Sequence, residues 1–256
     1  MTAARPRGIT LIINNASFAK HPENGKQLPR HGSEVDVSRV KTLFAALDFS
    51  VRTEQDLSKQ QLLMELADVA CQDHSAYDCF VLWLMSHGRS RGEVFCSDGE
   101  TIPIKTLNDM FSECKTLSGK PKLFFIQACR GIEEDVGVKA FPDSDISSLN
   151  QANRSYESTK VDSLIPTRSD FLYAFSTVDE YVSYRNEDEG SHYVRCFVKA
   201  FREHVAHDHI LDILTIVNHE VSKIDTQRPS STNRNRTKIC KQMPEVRHTL
   251  RKKVRF

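Results

Sequence analysis

Apolar positions along the chain follow two rhythms. Continuous runs at Gly8 to Asn14 (GITLIIN), Cys79 to Met85 (CFVLWLM), Leu123 to Ile126 (LFFI) and Phe171 to Ser176 (FLYAFS) predict strands buried on both faces. Phe49 to Thr53 predicts a further strand, and the looser alternation of Val246 to Val254 a last one. Between these runs the apolar residues recur at helical spacing. Val37, Val40, Phe44 and Leu47 form a stripe behind Ser33, which reads as a helix N-cap. Ser58 and Gln61 form a capping-box pair ahead of Leu62, Leu63, Leu66 and Val69. Thr106 to Phe111, Tyr193 to His204 and Ile210 to Ser222 predict three more helices, and Arg91 to Ile104 a small hairpin. Thr226 to Lys241 is polar and basic and predicts a surface loop.

Strands alternating with helices predict the α/β class with a mostly parallel sheet. The pattern stops once, from Ile132 to Thr167, a polar stretch holding Asp135, Asp143, Asp145 and Asp162. A structureless segment of that length inside a domain marks a functional or disordered linker. It divides a larger first part (1–131) from a smaller second part (168–256), with the linker spanning 132–167 of one domain.

Composition narrows the setting. The 256 residues are 39% hydrophobic and 27% charged, an ordinary globular balance, with a net charge of +1. No global field therefore draws nucleic acid or an anionic membrane. No run approaches the ~18 apolar residues of a membrane span, and the start, MTAARPRG, lacks the apolar core of a signal peptide. Seven scattered cysteines without a CxxC pair read as reduced thiols of the cytosol. The sequons Asn15-Ala16-Ser17 and Asn153-Arg154-Ser155 then read as chance matches. His219-Glu220 opens like a zinc-protease helix, but Lys223 stands where the second ligand belongs. No metal or cofactor is expected, and no Gly-rich phosphate loop follows the first strand.

The chemistry lies where two buried runs end. His87 follows one and Cys129 the other, and α/β sheets bind ligands beyond the carboxyl ends of their strands. A thiolate is the attacking species, a cationic imidazole stabilises it, and the imidazole can return its proton to a departing amine. Gly88 and Gly131 leave room for substrate, and the N–H groups of Gly88 and Cys129 are candidate oxyanion donors. The other cysteines (Cys71, Cys79, Cys96, Cys114, Cys196, Cys240) read as small core residues.

Two strings carry a family resemblance. Gln127-Ala128-Cys129-Arg130-Gly131 and Ser86-His87-Gly88, about forty residues upstream, resemble the nucleophile and histidine motifs of caspases. Asn14-Asn15, Ser118-Gly119-Lys120-Pro121-Lys122 and Asp170-Phe171-Leu172-Tyr173-Ala174 are similar to the family too. The resemblance implies a three-layer sandwich with a six-stranded sheet and helices on both faces. It implies cleavage of proteins after aspartate, in a pocket built from Arg30, Gln127 and Arg185 with Ser86 nearby, while Ser183, Tyr184 and Arg185 pair with substrate backbone. Arginine suits that task because its planar fork matches a carboxylate.

The resemblance further implies a cytoplasmic zymogen of programmed cell death, cut in the linker, with Asp162 and Asp145 as the processing positions. It implies a homodimer of processed units paired through the last strand, and upstream caspases and inhibitor proteins as partners. Neither nucleic acid nor membrane is expected. Two cues conflict over its type. Seven residues before Gly8 leave no room for a recruitment domain, which suggests a short-prodomain effector, yet Val182-Ser183-Tyr184 resembles initiators. Many relatives carry tryptophan at the positions of Tyr184 and His192. The stretch Thr226 to Lys241 has no aromatic residue and carries Arg228, Arg234 and Arg236, so the outer subsites are expected to be wider, more polar or poorly formed. The competing reading is a caspase-like regulator that binds partners without cutting.

Overall fold

The computed structural model describes residues 6–19, 29–138, 164–230 and 236–256. Six strands form the central sheet: β1 (Gly8–Asn14), β2 (Phe49–Gln55), β3 (Cys79–Met85), β4 (Lys122–Gln127), β5 (Phe171–Phe175) and β6 (Glu245–His248). Their spatial order is β6-β5-β4-β3-β1-β2. The first five run parallel, and β6 pairs antiparallel on the edge of β5. The α-helices of the described residues are α1 (Ser33–Ala46), α2 (Lys59–Cys71), α3 (Lys105–Ser112), α4 (His192–His204) and α5 (Ile210–Lys223).

The continuous apolar runs have a simple cause. Successive side chains of a strand point to opposite faces, and here both faces are covered. Val81, Trp83 and Met85 of β3, with Leu123 and Phe125 of β4, join a core closed by α1, α4 and α5. Phe80, Leu82 and Leu84, with Phe124 and Ile126, join a second core closed by α2 and α3. The result is a three-layer α/β sandwich. Aromatic rings lock its first core: Trp83 stacks on Phe125 at 4.8 Å, and Phe197 of α4 meets both rings edge-on at 4.8 Å.

Helix α2 is capped by the expected Ser58–Gln61 box. Helix α1 departs from expectation. Its N-cap is Gly32, at φ 79°, with no side-chain cap, and Ser33 is instead drawn inward as acceptor for Asn14 Nδ2 at 3.1 Å. A Cβ on Gly32 would fall 2.4 Å from the Glu187 carbonyl oxygen, so the backbone of the second part of the chain rests directly on this turn.

Other expectations need correction. Thr226 to Lys241 is not a plain loop: Thr226–Pro229 pairs antiparallel with Thr237–Cys240. The hairpin is held by polar contacts, Glu134 meeting both Arg228 (3.3 Å) and Lys238 (2.7 Å), so no apolar alternation announced it. The last strand ends at His248, short of Val254, because Arg251 turns back to Asp170 (Nη2 to Oδ2, 2.6 Å). Regular structure also runs past Ile132: Gly131–Glu133 pairs in parallel with Glu180–Tyr181. Cys71 is exposed, whereas Cys79, Cys96, Cys114, Cys196 and Cys240 are buried as expected.

Phe125→Ala should lower unfolding free energy by about 3–5 kcal/mol, because its neighbours on both helical and sheet sides cannot close the cavity. Met64→Ala, on the exposed side of α2, should stay within about 0.5 kcal/mol. Urea denaturation of the two variants checks the contrast.

Candidate active site

Strand register builds the rim. Met85 of β3 lies opposite Gln127 of β4, and Ser86 N donates to Gln127 O at 3.1 Å. His87 and Cys129 therefore each stand two residues beyond one matched pair, at the carboxyl ends of adjacent parallel strands. The two segments touch through backbone. A Cβ on Gly88 would fall 2.3 Å from the Cys129 carbonyl oxygen and 3.1 Å from Ala128 Cβ, so glycine is required there by space. The His87 ring is half-buried and lies 5.0 Å from the ring of Phe18. Cys129 is half-buried as well. Its Sγ accepts from Ser183 N at 3.4 Å and lies 3.8 Å from Ser183 O.

Buried polar groups lie close to the thiol. Arg30 is only 2% exposed. Its Nη1 donates to Asn14 Oδ1 (2.9 Å) and Asn15 O (3.0 Å), while Nη2 has no partner among the described residues. Gln127 is buried too; its Nε2 donates to Ser183 Oγ at 3.0 Å, and its Oε1 has no partner among the described residues. Arg185 reaches in from the second part, its Nε donating to His31 O at 2.8 Å. Burial, with the Arg185 charge next in size, pulls the Arg30 guanidinium down to about 9. Burial lowers Arg185 as well. Buried polar groups are almost always satisfied, so a buried guanidinium nitrogen without a partner among the described residues sets Arg30 apart from an ordinary structural arginine.

The expected residues thus converge from four segments: Arg30 before α1, Ser86 and His87 after β3, Gln127 and Cys129 at β4, and Ser183 to Arg185 after β5. Ser86 is adjacent but turned away, its hydroxyl proton given to Phe95 O at 2.6 Å. Tyr184 is buried; its N–H donates to Gln242 Oε1 (2.8 Å), and the Arg228 guanidinium lies 5.9 Å from its ring centre. His192, at one of the tryptophan positions, bonds through Nε2 to Thr226 Oγ1 at 3.1 Å, and burial followed by the Arg195 charge lowers its pKa. Asp162 and Asp145 lie outside the described residues.

Three contributors were not foreseen. Gln242 clamps the Ser183–Tyr184 segment, its Nε2 donating to Ser176 O at 2.7 Å and Ser183 Oγ at 3.3 Å. Arg130 is buried under the rim, over the Phe175 ring at 4.3 Å, and bonds Glu245 and Thr177 O. Asp36 is fully buried on α1. The stripe could have revealed it: Ser33, Asp36, Val40 and Leu43 share the inward face at spacings of three and four, and an acid on that face needs a reason. A cavity of about 610 Å³ lies elsewhere, over Phe171, Tyr173 and Phe175 beside β6, away from the thiol and imidazole.

A thiol and an imidazole at the carboxyl rim of a doubly covered parallel sheet, next to two arginines, define a class of α/β proteins with a cysteine–histidine centre. Comparison of sequences names the family within that class. The caspase domain matches residues 7–255, and the chain belongs to the caspase family. It is 37% identical to caspase-8 of Mus musculus over 98% of this chain and 51% of that protein. It is 37% identical to caspase-7 of Gallus gallus over 97% of this chain and 77% of that protein. With caspase-3 of Xenopus laevis it shares 37% identity over 84% of this chain and 71% of that protein. The chain spans about half the length of the caspase-8 proteins it matches.

Brief treatment of the folded chain with iodoacetamide should label Cys129 and Cys71 and spare the five buried thiols, of which Cys79 and Cys96 are pushed up to about 12 by burial. Peptide mass mapping after quenching reads the pattern.

Proposed function

We propose that this chain is a cysteine endopeptidase that cleaves proteins after aspartate. The observation that carries the reading is the buried Arg30 guanidinium, whose Nη2 has no partner among the described residues, within electrostatic reach of Cys129 and Arg185. A substrate aspartate supplies the missing acceptor, and Arg185 adds a second fixed charge. Gln127 then presents its amide to the same carboxylate, with Ser183 Oγ as its alternative partner.

In this reading Cys129 attacks as thiolate beside the His87 imidazolium. The carbonyl oxygen becomes an oxyanion held by the N–H groups of Gly88 and Cys129. His87 gives its proton to the departing amine, a thioester remains on Cys129, and water activated by His87 releases the acid. The substrate backbone adds as a strand along Ser183 to Arg185, displacing the contact between Ser183 and the thiol.

The family setting extends the proposal. The chain acts in apoptosis in the cytoplasm, as a zymogen cut within 132–167, with Asp162 and Asp145 as sites. Processed units pair through the free edge of β6, and other caspases and inhibitor proteins are its partners.

After linker cleavage the protein should hydrolyse a fluorogenic peptide ending in aspartate, and Cys129→Ala should reduce the rate by about a thousandfold or more. The asparagine-ending peptide should turn over at least about a hundredfold more slowly, since it cannot engage a charged fork. A folded, cut wild-type chain without turnover would instead favour the regulator. Intact mass of the active form locates the cuts, and masses matching no aspartate within 132–167 reject the processing scheme.

A further inference from the structure

Asp36 is the one fully buried acid in the described structure. Its Oδ1 accepts Ser191 N at 2.9 Å, and its Oδ2 has no hydrogen-bond partner among the described residues. Ser191 caps α4, accepting Val194 N at 3.2 Å, so the carboxylate faces the positive end of that helix. Contact with the neighbouring turn is direct. Gly190 has φ +74°, and a Cβ there would fall 2.3 Å from Asp36 Oδ1. Arg185–Asn186 pairs with Gly190–Ser191, so the strand bearing the second arginine is fastened to α1 through this carboxylate.

Both arginines act on Asp36 through space, against a burial effect that raises its pKa. In return Asp36 favours the charged form of each. Arg30 faces Arg185, Asp36, Cys129 and Asp56, in that order of effect after burial. Arg185 faces Asp36, Cys129, Glu34 and Glu187. The competing acids are weaker candidates for counter-charge. Asp56 is occupied by Ala16 N (2.7 Å) and Ser17 N (2.8 Å), and Glu34 and Glu187 are exposed to screening solvent. Arg39, also near Gly190, is bonded to Glu189 O, and Glu189 itself pairs with Arg195.

We propose that Asp36 is a positioning residue of the aspartate-binding site, the counter-charge that holds the buried Arg30 and the half-buried Arg185 together, and that it docks the Arg185 strand on α1. Two cations then stand against one fixed anion, and one entering carboxylate completes the balance. The assignment to substrate binding rests on the protease reading above; the charge coupling does not.

The test has two arms. The first needs no catalysis: urea unfolding of the full chain as wild type, Asp36→Asn, Arg30→Gln and the double variant. Asn keeps an acceptor for Ser191 N while it removes the charge. Counter-charge predicts that the double variant unfolds at a higher midpoint than Asp36→Asn, since removing one cation relieves the repulsion left behind. A single variant too unstable to show a transition, beside a double that shows one, is the same result. A double variant no more stable than Asp36→Asn overturns the proposal.

The second arm measures KM for an aspartate-ending peptide between pH 6 and 10 on the linker-cleaved enzyme. Deprotonation of Arg30 removes a positive charge, so KM rises as pH climbs through its pKa. Asp36→Asn should start that rise at a lower pH, with kcat on the plateau changed less than about twofold. An unshifted limb, or a fall in kcat alone, refutes the role in substrate binding. If the wild type hydrolyses no such peptide, the protease reading fails while the unfolding cycle still decides the coupling.

Discussion

The desolvated guanidinium of Arg30 is the constraint around which the carboxyl rim is organised. An arginine removed from water must find fixed acceptors, and here they are the side chain of Asn14 and the carbonyl of Asn15, where β1 runs out. Those two asparagines are held in turn. Asn14 is bonded to Ser33 at the start of α1, and Asn15 takes Leu57 N (2.9 Å) and donates to Phe95 O (3.2 Å). The strand end, the helix start and two loops are thus set by one cation. Its Nη2 has no hydrogen-bond partner among the described residues.

The same rim is braced from below. Arg130, next to the nucleophile, bonds Thr177 O at 3.3 Å, lies 3.5 Å from Asp179 and pairs with Glu245 on β6. Its guanidinium is 4% exposed against 26% for Glu245, so the pair is partly shielded and its loss would leave a buried charge. The position of Cys129 is therefore tied to the edge strand as well as to β3. Gln242 makes a second tie, reaching from the segment before β6 to the Ser183–Tyr184 backbone.

Much of this was legible in the chain, and the boundary between legible and hidden is physical. Strands β1, β3, β4 and β5 are doubly buried, so each had to be a continuous apolar run, and the motifs at their ends could be placed on the rim at once. The Ser58–Gln61 cap is local and was read correctly. What failed was structure held by distant polar contacts. The Thr226–Cys240 hairpin depends on Glu134, nearly a hundred positions away, and Ser33 left its capping role because Asn14 needed a donor's partner inside the fold. Asp36 was hidden for a related reason: its significance is set by two arginines that the chain brings together only on folding. Residue type drew attention to Arg30 and Arg185, while their electrostatic coupling to Asp36 arises only in the folded chain.

The division of the chain has a consequence for the sheet. The first part supplies β1 to β4 and α1 to α3; the second supplies β5, β6, α4 and α5. Yet β4 and β5 pair in parallel along five matched positions, and Phe197 of α4 is wedged against Trp83 and Phe125. The arginine pair itself is shared, with Arg30 from one part and Arg185 from the other bonded to His31 O. These contacts all lie between described residues, so the two parts are joined through one sheet and one core and not by chain continuity alone.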